Sequence, residues 1–182
     1  AARISPARIK ACFADQCARC QSLRWDKQGK CVKGCEELRL GSLVLDVLPV
    51  DALDPAAARD ILMKAIQRQH LKPLPWTARS RALQQRLDFA HRHFPERWPN
   101  CGEPWLEEHL EDWLGDQLLG MNSFAQLSQV RLDEGLWQGL PFERRRDLDR
   151  LLPTKWRLPS GRDATIDYGG AEPVLAAKLQ EF

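Results

Sequence analysis

Four of the chain's six cysteines fall within CARCQSLRWDKQGKCVKGC, residues 17–35. Cys17 and Cys20 form a C-x2-C pair, and Cys31 and Cys35 a C-x3-C pair. Structural zinc needs four thiolates or imidazoles in a tetrahedron, with Zn–S near about 2.3 Å, and paired knuckles beside a hairpin supply it. The metal reading therefore takes Cys17, Cys20, Cys31 and Cys35 as ligands, with Cys12 as a spare. Geometry argues on both sides. A turn centred near Gln28 sets Cys20 opposite about Cys35 or Glu36, which brings two thiols close. On a straight strand, however, Cys31 and Cys35 stand about 13 Å apart, at about 3.3 Å per residue. One ion reaches both only if Val32-Lys33-Gly34 folds into a tight knuckle, which Gly34 permits. The competing reading is reduced thiols serving as small apolar side chains.

Other side chains with chemistry to offer are scattered. His91 and His93 flank Arg92 near a helix end, and residues two apart point to different sides of a helix. They read as cationic side chains favouring the helix dipole, and His109 as part of a packed or half-exposed face. Arg144, Arg145 and Arg146 precede Asp147, Asp149 and Arg150. Such a run can touch phosphates, but mixed charge is also what a solvated helix face with local ion pairs shows. The chain has no G-x-x-x-x-G-K-[ST], G-x-G-x-x-G, G-x-S-x-G or H-E-x-x-H. It is read as non-catalytic by itself.

The elements that must position these residues are legible. The 182 residues are 43% hydrophobic and 29% charged, with seven Trp, as a globular chain with a real core is. With 27 Lys and Arg against 25 Asp and Glu, the net charge of +2 says nothing about partners. No apolar run approaches the ~18 residues of a membrane helix, and the N-terminus lacks a signal-peptide core and a Met. The expectation is a cytoplasmic chain cut from something larger, with reduced thiols.

Ser5 and Pro6 predict a short helix over 4–16. Alternation of Leu23, Trp25, Val32, Leu38 and Leu40 then predicts strands around a DKQG turn, with Gly41 bending the long second arm. Asp54-Pro55 opens a helix whose stripe is Ile61, Leu62, Ala65 and Ile66. Thr77 caps the next, with Leu83, Leu87, Ala90 and Phe94 on one face. A third carries Trp105, Leu106, Leu110, Trp113 and Leu114, and short helices follow a break at 120–123. After Pro153, KWRLPSGRDATIDYGG reads as two strands, and PVLAAKLQEF as a strand ending in a helical turn. The fold class is α+β: a β-rich start, an all-helical block over 54–152, and a β-hairpin segment over 153–182.

The segments FADQ, LRWD, LRLGSLVL, LPW, LEDWL and LDRLLPTKWRLPSGRDATIDYGGAEPVLAAKLQEF, in this order, resemble the C-terminal part of the HrpB-type family of bacterial ATP-dependent RNA helicases, of the DEAH type. The closing segment carries most of the likeness, with Leu152, Pro153, Leu158, Pro159, Ser160, Gly161, Asp167, Tyr168, Pro173 and Gln180 at matching positions. The resemblance implies that residues 1–50 end an OB-like β region and 51–182 form the family's C-terminal extension. It places the motor domains, with their ATP and Mg2+, upstream, and makes them this region's partners. It also implies an accessory role that braces the motor and touches single-stranded RNA without sequence preference. The candidate RNA contacts are Lys30, Lys33, Arg39, Arg144, Arg145, Arg146, Lys155, Arg157 and Arg162. At the four cysteine positions the family has ordinary residues, so the resemblance favours thiols without metal, zinc being the lesser reading. The alternative function, on fold-level grounds alone, is a protein-docking module.

Overall fold

The computed structural model describes residues 12–138 and 140–177. It is α+β, and its contacts divide the chain into two compact units: Ala1–Pro73 with Leu118–Gln129, and Leu74–Gln117 with Val130–Phe182. Most of the helix expected over 4–16 lies outside the described residues. Its end is a 3-10 turn at Ala14–Gln16.

In the first unit, β1 (Cys17–Asp26), β2 (Cys31–Leu40) and β3 (Leu43–Val50) make an antiparallel meander in that order. Where one long second arm was expected, the chain reverses at Gly41, whose φ of +58° suits a residue without Cβ. The arm is thus two strands. Asp26 braces the β1–β2 turn: its Oδ1 accepts from Gln28 N–H, and the Lys33 ammonium at 2.5 Å holds its carboxyl below the ordinary range.

Helix α1 (Pro55–Gln67) starts where Asp54 accepts from the Ala57 N–H and Pro55 needs no donor. Ala58, Leu62, Met63, Ala65 and Ile66 are its buried side, set against β1 and β2. The helix stops at Gln67, well before Pro73, because His70 and Leu71 take positive φ. β3 ends opposite Gly34, leaving the head of β2 unpaired on that side. Residues 122–124 fill the edge: Val32 N–H donates to Asn122, Phe124 N–H to Lys30, and Phe124 packs on Trp25 at 4.7 Å.

In the second unit, α2 (Ala78–His93) opens on a reciprocal cap between Thr77 and Ser80. Leu83, Leu87 and Ala90 are buried as the periodicity requires, whereas Phe94 is exposed. The single helix expected over 105–114 is two, α3 (Glu103–Glu108) and α4 (Leu110–Leu118). The Trp113 indole takes the Leu106 carbonyl at 2.9 Å, the acceptor a continuous helix would give to Leu110. Helices α5 (Leu132–Leu136) and α6 (Phe142–Leu151) follow. Then β4 (Lys155–Arg157), β5 (Asp163–Asp167) and β6 (Val174–Leu175) form a second three-stranded sheet. The helical end expected after β6 falls on residues 178–182, outside the described residues. No helix among the described residues is long and apolar enough to cross a membrane.

Candidate nucleic-acid interface

The β4–β5 hairpin is pinned from beneath. Leu158 is buried, its N–H donates to Arg162, and Gly161 N–H donates back to Leu158. Tyr168 is also buried, which pushes its phenol up, and its hydroxyl donates to the Pro153 carbonyl at 2.8 Å. Its ring meets Phe89 of α2 edge-on at 5.5 Å. Asp167 accepts from Gly169 N–H and so turns the chain after β5. These anchors leave β4 facing outward: Lys155, Trp156 and Arg157 are all exposed, Trp156 by 58%. A large indole left in water is a platform on which a base can stack, while Lys155 and Arg157, on the opposite face of the strand, offer charge to phosphates at its edges.

Helix α6 adds a second basic surface. Arg144 is half-buried with its guanidinium 5.8 Å from the Trp98 ring centroid. Arg145 and Arg146 lie 5.8 and 5.9 Å from Phe142, a ring that is 64% exposed. The mixed-charge run is not internally neutralised. Asp147 pairs with Arg97 at 3.4 Å and Asp149 with Arg86 at 2.7 Å, both from outside α6. Arg145 and Arg146 form no ion pair among the described residues.

The three candidates in the first unit differ from these. Lys33 is tied to Asp26 and Arg39 to Glu37, at 2.5 and 2.6 Å, while Lys30 is exposed in the turn with φ +49°. Two of their three charges are answered locally.

The cysteines sit on a plain ladder. Register runs unbroken from Cys17↔Leu40 through Cys20↔Glu37 and Ser22↔Cys35 to Asp26↔Cys31. Cys20 is thus one residue beyond the expected Cys35–Glu36, because the turn holds four residues, 27–30. No knuckle forms at 32–34. A Cβ on Gly34 would come within 2.7 Å of Leu53 Cδ2 and 2.9 Å of the Val50 carbonyl, so that glycine serves close packing. Among the described residues no three His, Cys, Asp or Glu side chains gather as a metal set. Cys35 is buried, its Sγ 3.5 Å from Ser22 Oγ. The histidines pack: His91 Nδ1 meets the Trp98 carbonyl at 2.7 Å, His93 lies on Phe89, and His109 stacks on Trp105.

The ATP-dependent helicase C-terminal (HrpB_C) family model matches residues 113–182, which include α6 and the pinned hairpin. Over residues 113–182 the chain is thus similar to that helicase family. Among solved structures, the chain is similar to the E. coli DExH-box NTPase HrpB, with 25% identity, a TM-score of 0.66, and 98% of this chain on 22% of that one. It is likewise similar to the Escherichia coli DEAH/RHA helicase HrpB, with 26% identity, a TM-score of 0.64, and 91% of this chain on 22% of that one. The chain therefore spans about a fifth of either relative's length. No curated protein matches it in sequence.

Of the positions that carry the resemblance, Leu152, Leu158 and Tyr168 are buried and Pro153 half-buried, while Pro159, Ser160, Gly161, Asp167 and Pro173 are exposed. Leu152, Pro153, Leu158 and Tyr168 each bury a side chain or offer a carbonyl that locks the hairpin down. Gln180 lies outside the described residues. The exposed residue that this scaffold presents, Trp156, is one that motif reading passed over. Its signal was available: a Trp flanked by Lys and Arg in a short outer strand.

Proposed function

We propose that this chain is a non-catalytic accessory region of an ATP-dependent RNA helicase, contacting single-stranded RNA and bracing upstream motor domains that hold ATP and Mg2+ in the cytoplasm. The observation that carries the RNA reading is Trp156, exposed between Lys155 and Arg157 in sequence on a hairpin anchored by Leu158 and Tyr168. Such stacking is worth about 1–3 kcal/mol per base and tolerates any sequence. Trp156→Ala is expected to weaken binding of a fluorescein-labelled oligouridylate about ten-fold by anisotropy, with the melting temperature unchanged. Unchanged affinity removes Trp156 from the interface.

Bracing has its own support in the first unit. β3 is an edge strand, and it exposes Leu43, Val44, Val47 and Leu48 on both faces. A free apolar edge of this kind is ordinarily covered by another chain segment. It favours the docking function as a companion to RNA contact.

A further inference from the structure

Arg86 stands on the buried side of α2 among Leu83, Leu87 and Ala90, and its side chain is only 8% exposed. Part of its guanidinium is fully engaged. Nε donates to the Leu152 carbonyl at 3.0 Å, and Nη2 to Leu152 at 2.6 Å, Leu148 at 3.4 Å and Asp149 at 2.7 Å. The other terminal nitrogen, Nη1, carries two N–H groups and bonds to nothing among the described residues. Nη1 is open to solvent, since the buried side-chain nitrogen without a partner among the described residues is Trp98 Nε1, so its donors are free to meet a ligand.

Arg86 lines a cavity of about 330 Å³ together with Arg79, Trp137, Arg145, Thr154 and two carboxylates. One of those, Asp149, is already answered by Arg86 Nη2. The other, Asp133, forms no ion pair among the described residues. Arg79 is exposed and makes no ion pair or hydrogen bond among the described residues, and Arg145 is held at the rim by the Trp137 ring, 5.1 Å from its centroid. Three guanidinium groups thus converge on one space with donors to spare. Their planar forks suit the oxygens of a phosphate better than those of chloride or a lone carboxylate. A single water takes about 30 Å³ of liquid volume, so the cavity has room for a phosphate and the group that bears it. Asp133 then offers an acceptor to a hydroxyl on that group.

We propose that this cavity is a phosphate-binding site in which Arg86 Nη1, Arg79 and Arg145 take the phosphate oxygens and Thr154 lines the entrance. A free or terminal phosphate and an RNA backbone phosphate share this chemistry. The site does not depend on the hairpin platform.

The test follows the Arg86 Nε–H signal by NMR in the 182-residue chain, titrated with inorganic phosphate against sodium chloride of equal ionic strength. A saturable shift with phosphate alone is expected, and Arg79→Ala should weaken the apparent affinity about five-fold, the loss of one charge-assisted contact, with the far-UV spectrum unchanged. No saturable shift beyond that of chloride overturns the proposal, and so does an Arg79→Ala variant that binds phosphate as the wild type does. Uridine monophosphate and a 5′-hydroxyl oligouridylate identify the source. Saturation by the monophosphate without competition from the oligomer means a terminal or free phosphate, and competition by the oligomer means a backbone phosphate. Trp156→Ala should leave the phosphate titration untouched, so failure of either reading is seen apart from the other.

Discussion

Arg86 does two jobs with one guanidinium, and the structural one has a measurable size. It caps the C-terminus of α6 at the Leu152 carbonyl, a group the helix end leaves without a partner, and adds a longer bond to Leu148, whose carbonyl already accepts from Leu152 N–H. Arg86→Met keeps the apolar stem and removes the donors, leaving the Leu152 carbonyl unmet and Asp149 without its ion pair. A loss of about 3 kcal/mol in urea unfolding is expected; a loss under about 1 kcal/mol means that water replaces the arginine. Its position was legible, since Arg86 falls three residues after Leu83 and four before Ala90, on the face that the periodicity marks as buried. That an arginine there caps a helix more than sixty residues away was not, because the partner carbonyls come from distant sequence.

Cys101 shows the same dependence on surroundings. Burial first, and the nearby Asp88 carboxylate second, push its thiol up from 9.0 to about 12. The folded value lies above the unfolded one, so the stability this group contributes is complete below pH 9 and is lost as pH rises from 9 towards 12. At pH 8 native Cys101 should resist a thiol reagent that labels exposed Cys12 and Cys20 rapidly. Rapid labelling of all six thiols contradicts its placement. Joint protection of Cys17, Cys20, Cys31 and Cys35 would mean that a metal gathers them.

At the scale of elements, local signals were readable and long-range ones were not. Asp54-Pro55 and Thr77 announce α1 and α2 because a cap is made by neighbours in sequence. Gly41 was ambiguous, since a glycine in an extended arm serves a bulge or a reversal equally well. Tertiary pairing of β3 with β2 decides for the reversal. The split of α3 from α4 depends on an indole finding a carbonyl seven residues back, which periodicity cannot see. The β1–β2 hairpin was foreseen with its register one residue short, and that one residue decides which thiols are opposed. Gly34 is the test of this packing. Gly34→Ala should cost about 2 kcal/mol through overpacking against Leu53 and the Val50 carbonyl. A cost near zero, measured by denaturant midpoint, means that β2 and the residues after β3 are farther apart than described.

Across the whole molecule, net charge was uninformative and the distribution of charge was not. The total of +2 hides acidic residues committed to local pairs and exposed cations, Arg145 and Arg146, without an ion pair among the described residues. Lys33 and Arg39 are spent within the first sheet, whereas Arg145 and Arg146 stand beside exposed or half-exposed rings. The nine basic candidates chosen from sequence thus separate into locally paired and available groups, a division that only side-chain partners reveal. The hairpin held by Leu158 and Tyr168 falls within residues 113–182, which match the helicase C-terminal family model. The proposed RNA contact rests on what the hairpin leaves exposed, Lys155, Trp156 and Arg157.

The measurement that bears most directly on that contact is the salt dependence of oligouridylate binding by the wild-type chain and by a Lys155→Glu, Arg157→Glu double variant. Each phosphate contact on a single strand contributes about 0.7 to the slope of log affinity against log salt. The double variant is expected to bind more than ten-fold more weakly at low salt, with a slope shallower by about 1.4. An affinity and slope equal to the wild type's, in a variant that melts at the same temperature, would mean that β4 does not touch RNA.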